Sequence, residues 1–465
     1  MSLVSSSSIF EQGFEAPRRY FAAAAILIGV LMSALDGSIV NIALPSIART
    51  LQIDSASSIW IINGYQVASA ATMLICASLG SRVGEKRFYT AGMILFTLSS
   101  LGCSLSSTFG VLVTMRILQG VSYAVMISVG LGLYRVIFPP YKLGTIFGLN
   151  AMVFAVGTAI GPALGGIIIS YLSWPWLFYI NIPLGGVALI FSFISLGKDN
   201  EKEKEKEKGF DLAGAISSAG ALGLMVIAVD QIGSWENHSL ILCAVASTIL
   251  FILFIAVQTR SKHPLLPLDI FCSRRYTFAV ISSLSMFVAQ GIALVSLPFV
   301  LQHTYNYSVL ESAFIFSPWP LAVACCAPIA GRLSNRLNPT HISTIGVMFF
   351  CVGLGSLALL PEAATVSDFL WRVVICGVGY GFFLPPNNKE MFSNVSKNRT
   401  VTASGVLSTA RTTGQSIGAA LVAMVIALLN GLMGSTSAEF GVYVFSMACV
   451  IAAISSIAST LRLRC

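Results

Sequence analysis

Four ionisable side chains, Asp36, Arg116, Arg372 and Arg411, stand inside long apolar runs, and Asp230 lies at the end of another. An acid or base at the centre of a bilayer-spanning helix costs ~2.5–3.5 kcal/mol on insertion scales, so such groups carry function by default. At ~1.5 Å per residue, Asp36 sits ~14 Å from the Pro45 end of its run, and Arg116 lies ~10 Å into its own run from the same side. A carboxyl holds its proton differently in an apolar cavity and beside a guanidinium. One that moves between those settings takes up a proton on one face and releases it on the other, which is proton coupling. The plainer alternative is a permanent Asp36–Arg116 strut between two helices.

Other chemistries lack their residues. No Gly-x-x-x-x-Gly-Lys-Ser/Thr phosphate loop occurs, so ATP hydrolysis is not indicated. The four histidines (His238, His263, His303, His341) have no metal-ligand spacing, and the ten cysteines form no Cys-x-x-Cys pair. These absences point away from an enzyme, a metal site or a cofactor, and leave an ion gradient as the energy source for any uphill work.

The elements that must position these groups follow from composition. Of 465 residues, 56% are hydrophobic and 10% charged, whereas soluble domains are about a quarter charged. That excludes a soluble enzyme, a nucleic-acid-binding domain and a disordered scaffold, and makes the lipid bilayer the expected partner. A helix needs ~20 apolar residues to cross a bilayer. Stretches of that length recur fourteen times, from 21–44 to 440–461, with twelve as the competing count. All but four of the 27 Lys and Arg residues fall in alternate loops; the exceptions are Arg49, Arg116, Arg372 and Arg411. Cytoplasmic loops retain positive charge, so both termini are expected in the cytoplasm.

An internal repeat divides the chain. Gly157-Thr-Ala-Ile-Gly161-Pro-Ala-Leu-Gly165 returns as Gly414-Gln-Ser-Ile-Gly418-Ala-Ala-Leu-Val422. Ala77–Arg82 returns as Gly331–Arg336 and Arg116 as Arg372, all at offsets between 254 and 257. The expected fold is therefore all-α and polytopic, with two pseudo-symmetric six-helix bundles (1–197 and 263–465) flanking a charged linker and two inserted helices (198–262). Parallel repeats of this kind are a transporter architecture with the cargo site at their interface. Gly157, Gly161, Gly165 and Gly166 let helices approach closely, and Pro162 favours a kink; a hinge or seal between bundles competes with ordinary packing. Asn41, Tyr65, Gln66, Gln290, Tyr380, Asn387, Arg411 and Gln415 are candidate cavity linings, each with a structural alternative.

At these residues the chain resembles the major facilitator superfamily, and within it the 14-helix drug/proton antiporter branch. Leu35-Asp36-Gly-Ser-Ile-Val-Asn41-Ile-Ala-Leu-Pro45 is similar to the branch's first-helix signature, and Arg116-Ile-Leu-Gln119-Gly120 to the superfamily's fourth-helix arginine motif. Gly157-x3-Gly161-Pro162-x2-Gly165-Gly166 resembles the fifth-helix antiporter motif, and Trp176–Gly185 the start of the sixth helix. Ser317–Ala322 and Ala410–Gly418 look closest to YebQ-type members. The resemblance implies proton coupling at Asp36 and Arg116 and a bundle-interface role for the fifth-helix glycines and Pro162. One departure stands out: the superfamily's loop reads Gly-x-x-x-Asp-Arg-x-Gly-x-Arg/Lys-Arg/Lys. This chain has Ala77-x-x-x-Ser81-Arg82-x-Gly84-x-Lys86-Arg87, so the acid's link between bundles is expected to be lost.

The combined expectation is a monomeric secondary transporter of the bacterial cytoplasmic membrane, exporting amphipathic small molecules in exchange for protons by alternating access. A metabolite importer or exchanger on the same fold and a non-transporting membrane sensor are the alternatives.

Overall fold

The computed structural model describes residues 13–197, 210–230, 237–261, 263–361, 364–396, 399–433 and 439–464. The Glu/Lys linker at 198–208 and Trp235 and Glu236 of the Trp235–His238 cluster therefore lie outside the described residues. Among those described, fourteen long helices stand at the expected positions. They are α1 (Arg18–Leu51), α2 (Trp60–Val83), α3 (Glu85–Ser104), α4 (Phe109–Ile137), α5 (Leu143–Tyr171), α6 (Asn181–Ser195) and α7 (Leu212–Asp230). The rest are α8 (Asn237–Arg260), α9 (Arg274–Phe299), α10 (Pro318–Leu333), α11 (Pro339–Ala358), α12 (Val366–Ser393), α13 (Thr400–Met433) and α14 (Glu439–Leu461). Among the described residues twelve helices are long and apolar enough to cross a bilayer by length and composition alone. Of the other two, α3 buries Tyr89, Met93 and Phe96, and α13 runs through the centre of the molecule.

Local chemistry sets several boundaries. The Thr108 hydroxyl accepts from the Val111 amide and the Ser273 hydroxyl from the Tyr276 amide, so each caps a helix start. Thr365 and Asp368 form a reciprocal cap at the head of α12. Gly84 turns the chain between α2 and α3 at φ 108°, a backbone conformation that side chains with a Cβ rarely adopt.

The repeat is visible in the packing. Within the first half α1 packs on α5 and α6, α4 on α2 and α3, and α3 on α6. Shifted by eight helices, the same pairs recur: α9 with α13 and α14, α12 with α10 and α11, and α11 with α14. The halves meet through two equivalent seams, α5 with α10 and α12, and α13 with α2 and α4. Of the inserted helices, α7 packs against α2 and α13, while α8 packs on α7 and exposes Ile241, Leu242, Ile249, Phe251 and Ile252. That apolar surface is the kind a helix presents to lipid.

The seams close at one end only. Residues 128–134 of α4, 383–388 of α12 and 400–408 of α13 are buried on every side, and all lie at the Lys/Arg-rich ends. From Arg411 onward, α13 buries a stripe through Gly414, Gly418 and Val422 and leaves its other described faces half-exposed. The outer part of α5 likewise buries Gly157, Gly161, Gly165 and Ile168. The halves thus converge at the basic ends, and we read the half-exposed faces beyond them as a central vestibule towards the other side.

Three of the α5 glycines correct the sequence expectation: Gly157, Gly161 and Gly165 lie against α1, not between halves. A Cβ at Gly161 would overlap Ser38 Oγ, one at Gly157 would lie 2.7 Å from Ala34 Cβ, and one at Gly165 3.3 Å from Ile39 Cγ2. Pro162 sits inside α5 beside them, half-buried. A Cβ at Gly166 would meet nothing within 4 Å. The close approaches across the seam belong instead to Gly144 and Gly148, which meet Gly331 and Ala327 of α10. Gly161→Val should accordingly destabilise the protein by ~1–3 kcal/mol, the usual range for overpacking, whereas Gly166→Val should be nearly neutral. Thermal unfolding of the two purified variants checks this pair.

Candidate functional site

Asp36 and Arg116 meet. Helix α1 presents Asp36 to the centre of the first half, where α4 brings Arg116 Nη1 to 2.6 Å from Asp36 Oδ2. The same Nη1 donates to Gln119 Oε1 at 2.6 Å, and Arg116 Nε donates to the Ile61 carbonyl of α2 at 2.9 Å. Gln119 Nε2 donates to Asp36 Oδ1 at 2.9 Å and to Ser100 Oγ of α3 at 2.8 Å. Asn181, the first residue of α6, donates to Asp36 Oδ1 at 3.5 Å, while its own Oδ1 has no partner. The Tyr65 ring lies 4.4 Å from the guanidinium carbon. Asp36, Arg116, Gln119 and Asn181 are each no more than 2% exposed. Five helices of one half therefore converge on one carboxylate, and burying an ion pair so deeply demands this many hydrogen bonds.

Sequence reasoning had not assigned Gln119, Ser100 and Asn181 to this cluster. Gln119 could have been found from spacing, because residues three apart share a helix face. Ser100 and Asn181 carry no such signal, since only tertiary packing brings α3 and α6 to Asp36. In the second half the equivalent arginine is used differently. Arg372 Nε donates to the Ser356 carbonyl at 2.9 Å and Nη1 lies 3.4 Å from Asp368 Oδ1, one turn away on α12.

The remaining predicted residues divide among several places. Tyr65 belongs under Arg116 and does not line the vestibule. Asn387 is also corrected: it is fully buried, accepting from Arg462 Nη1 at 2.6 Å and donating to Ser283 Oγ at 2.7 Å. Arg462, counted above among the basic residues of the cytoplasmic side, is 1% exposed and ties α12 to Ser459 of α14. Gln66 is exposed on α2, and Asn41 lies in α1 with its side chain outside the described ones. Gln290, Tyr380, Arg411 and Gln415 come together at the seam. Gln415 Nε2 donates to Gln290 Oε1 at 3.3 Å, the Tyr380 side chain lies beside Gln290, and the Arg411 guanidinium carbon lies 5.3 Å from the ring centres of both Phe154 and Phe287.

The loop motif sits at the closed, basic end. Ser81 donates to the carbonyl of Ser78 in its own helix at 2.9 Å. Arg82 lies over the Phe210 ring at 5.6 Å, Lys86 is buried with Nζ 5.5 Å from the Phe14 ring centre, and Arg87 is exposed. The equivalent of Ser81 in the repeat, Asn335, does cross the seam. It accepts from the Gly144 amide at 3.0 Å and donates to Thr145 Oγ1 at 2.8 Å, while Lys389 Nζ holds it at 3.1 Å. On the other seam Arg135 reaches across itself, to the Val395 carbonyl at 2.6 Å and Thr400 Oγ1 at 3.2 Å.

A polytopic bundle with duplicated halves, a one-sided vestibule and a buried ion pair is the form of a membrane transporter, not of an enzyme. Comparison with known proteins makes the assignment particular. The profile of the Major Facilitator Superfamily matches residues 26–419. The chain is 37% identical over 453 residues to the uncharacterized transporter YebQ of Escherichia coli, covering 97% of each. It is 31% identical over 395 residues to the riboflavin transporter RibZ of Clostridioides difficile, covering 85% of each. It is 30% identical over 405 residues to the multidrug resistance protein Stp of Mycobacterium tuberculosis, covering 86% of this chain and 74% of that one. The crystal structure of the human organic anion transporter MFSD10 shares the fold, with a TM-score of 0.68 at 12% identity over 96% of this chain and 100% of that one. The chain belongs to the major facilitator superfamily.

Removing one partner of a buried ion pair strands the other charge and costs ~3–5 kcal/mol. Arg116→Gln alone should therefore lower stability by about that amount. The double variant Asp36→Asn/Arg116→Gln should cost clearly less than the sum of the singles. Thermal unfolding of the three proteins in detergent gives the cycle.

Proposed function

We propose that this transporter exports amphipathic small molecules in exchange for protons by alternating access, in the bacterial cytoplasmic membrane with its basic ends facing the cytoplasm. The sealed Asp36–Arg116–Gln119 cluster carries the reading. The residues 1–197 and 263–465 act as the two rocking halves, with 198–262 as an inserted pair alongside α2 and α13. Taking up a proton neutralises Asp36 and releases its hold on Arg116. The guanidinium then keeps the Ile61 carbonyl, Gln119 Oε1 and the Tyr65 face, so it is not stranded. A flip of the Asn181 amide, whose Nδ2 now faces Asp36 and whose Oδ1 is unpartnered, supplies an acceptor for the protonated carboxyl. Opening α1 and α4 enough to admit water lets the proton leave on the other side.

The energetics suffice. Membrane potential is worth ~2.3 kcal/mol per charge per 100 mV, so a proton driving force of ~150 mV supplies ~3.5 kcal/mol. At ~1.4 kcal/mol per decade that sustains a gradient of about 300-fold for a neutral cargo exchanged one for one. The drug-resistance name of Stp favours export, and the riboflavin transporter RibZ keeps a metabolite exchanger as the second reading.

Asp36→Asn should abolish substrate-induced proton release in proteoliposomes while the protein still inserts and unfolds cooperatively. Unchanged coupled transport would remove Asp36 from the mechanism. Cargo accumulation with the proton gradient imposed in each direction separates export from import. Asn335→Ala should loosen the closed end, seen as faster maleimide labelling of a cysteine placed at Thr145.

A further inference from the structure

Among the described residues Arg411 stands apart from the other deeply placed charges. It lies eleven residues into α13, or about 16 Å from the basic end at ~1.5 Å per residue, near the middle of a ~30 Å hydrocarbon core. Asp36, Arg116, Arg372 and Arg462 all have hydrogen-bonded partners. Among the described residues Arg411 has no ion pair and donates no hydrogen bond; its contacts are the flanking rings of Phe154 and Phe287. A bare cation at that depth is costly, and two aromatic rings offset the cost only in part. Its donors lie in the guanidinium plane and have no protein acceptor among the described residues.

The position in the fold is as telling as the charge. Up to Ser408, α13 is buried on all sides, and Arg411 is the first half-exposed charged residue beyond that point, at the floor of the vestibule. Phe154 is its repeat mate: the offset of 257 that relates Gly157 to Gly414 also relates Phe154 to Arg411. The approximate two-fold axis therefore passes between an aromatic ring from one half and a cation from the other. Gln290 and Gln415 place an amide pair beside them, and Tyr380 of α12 and Tyr123 of α4 lie within electrostatic range of the guanidinium. Asp36, the other charge at comparable depth, is neutralised by Arg116 and closed off from the vestibule.

We propose that the seam between the halves binds an aromatic organic anion, with Arg411 pairing with its carboxylate, sulfonate or phenolate and the Phe154 and Phe287 rings packing on its ring system. This rests on the reading of the vestibule as the cargo path and assigns that cargo a sign. An acid buried in the first half would by itself suggest lipophilic cations. The geometry reverses that inference, because the acid is already paired and the unpaired charge on the vestibule is positive.

The test uses three probes of one shape: 2-naphthoate, neutral 2-naphthamide and the cationic 2-naphthyl-trimethylammonium. Each is titrated calorimetrically against the full chain in phosphatidylcholine nanodiscs, with no proton gradient. A charge-assisted hydrogen bond of ~1.5–3 kcal/mol predicts that naphthoate binds about 10- to 100-fold tighter than the amide, and the ammonium weakest. Arg411→Gln should bring naphthoate and naphthamide to equal affinity, and Arg411→Lys should restore a preference for the anion. Tightest binding of the ammonium, equal binding of anion and amide, or no binding of naphthoate at millimolar concentration overturns the proposal. So does an Arg411→Gln protein that unfolds like the parent and keeps the preference. If Arg411→Gln does not fold, the ranking of the three probes on the parent protein decides alone. Because binding is read without a gradient, failure of proton exchange leaves this result standing. A cation carried in exchange for protons would sink only the assigned charge.

Discussion

A carboxylate and a guanidinium held 2.6 Å apart in a nearly water-free interior constrain the whole first half. Neither charge tolerates that interior alone, because desolvation of an isolated ion costs several kcal/mol even after the protein relaxes. The remaining lone pairs and N–H groups must be met as well, and Gln119, Ser100, Asn181 and the Ile61 carbonyl meet them from α4, α3, α6 and α2. Those helices are thereby fixed around α1 with little freedom. The same low dielectric that makes the pair expensive to break makes protonation of Asp36 a large perturbation, which a coupling element requires.

Duplication supplied two copies of this scaffold, and the copies have diverged. Asp36 corresponds through the Arg18-Arg19-Tyr20 and Arg274-Arg275-Tyr276 repeat to Ile292, so the second half has no acid at that depth. Arg372 has accordingly moved to local duty, binding the Ser356 carbonyl and the first turn of its own helix. The second half instead keeps a buried cation at its basic end, where Arg462 binds Asn387 and Ser459, and places Arg411 at the seam. The proposed division of labour, with protons in the first half and cargo between halves, follows this asymmetry.

The closed end shows the same principle at smaller scale. Two related seams are latched by different atoms: an amide, Asn335, spans one, and a long cation, Arg135, spans the other. The loss of the superfamily's acid at Ser81 removes a link on one side only, since serine is too short to leave its own helix and bonds Ser78. Arg135, reaching the Val395 carbonyl and Thr400, occupies the gap with neutral acceptors rather than an opposite charge.

Much of this protein was legible without coordinates. Helix number and the repeat are written in one dimension, because the bilayer demands ~20 apolar residues per span and duplication preserves spacing. Asp36 and Arg116 stood out because a charge in an apolar run has a cost that composition exposes. Tertiary structure alone decided which charges were already satisfied. Glycine spacing in α5 marked a close helix contact but not its partner, which proved to be α1. Asn387 and Gln290 are both polar residues in apolar helices, and sequence treated them alike; packing gave one to Arg462 and left the other at the seam. Hydrogen bonds and ion pairs act over about 3 Å, so partners scores of residues apart are set by how helices cross, which local pattern does not encode.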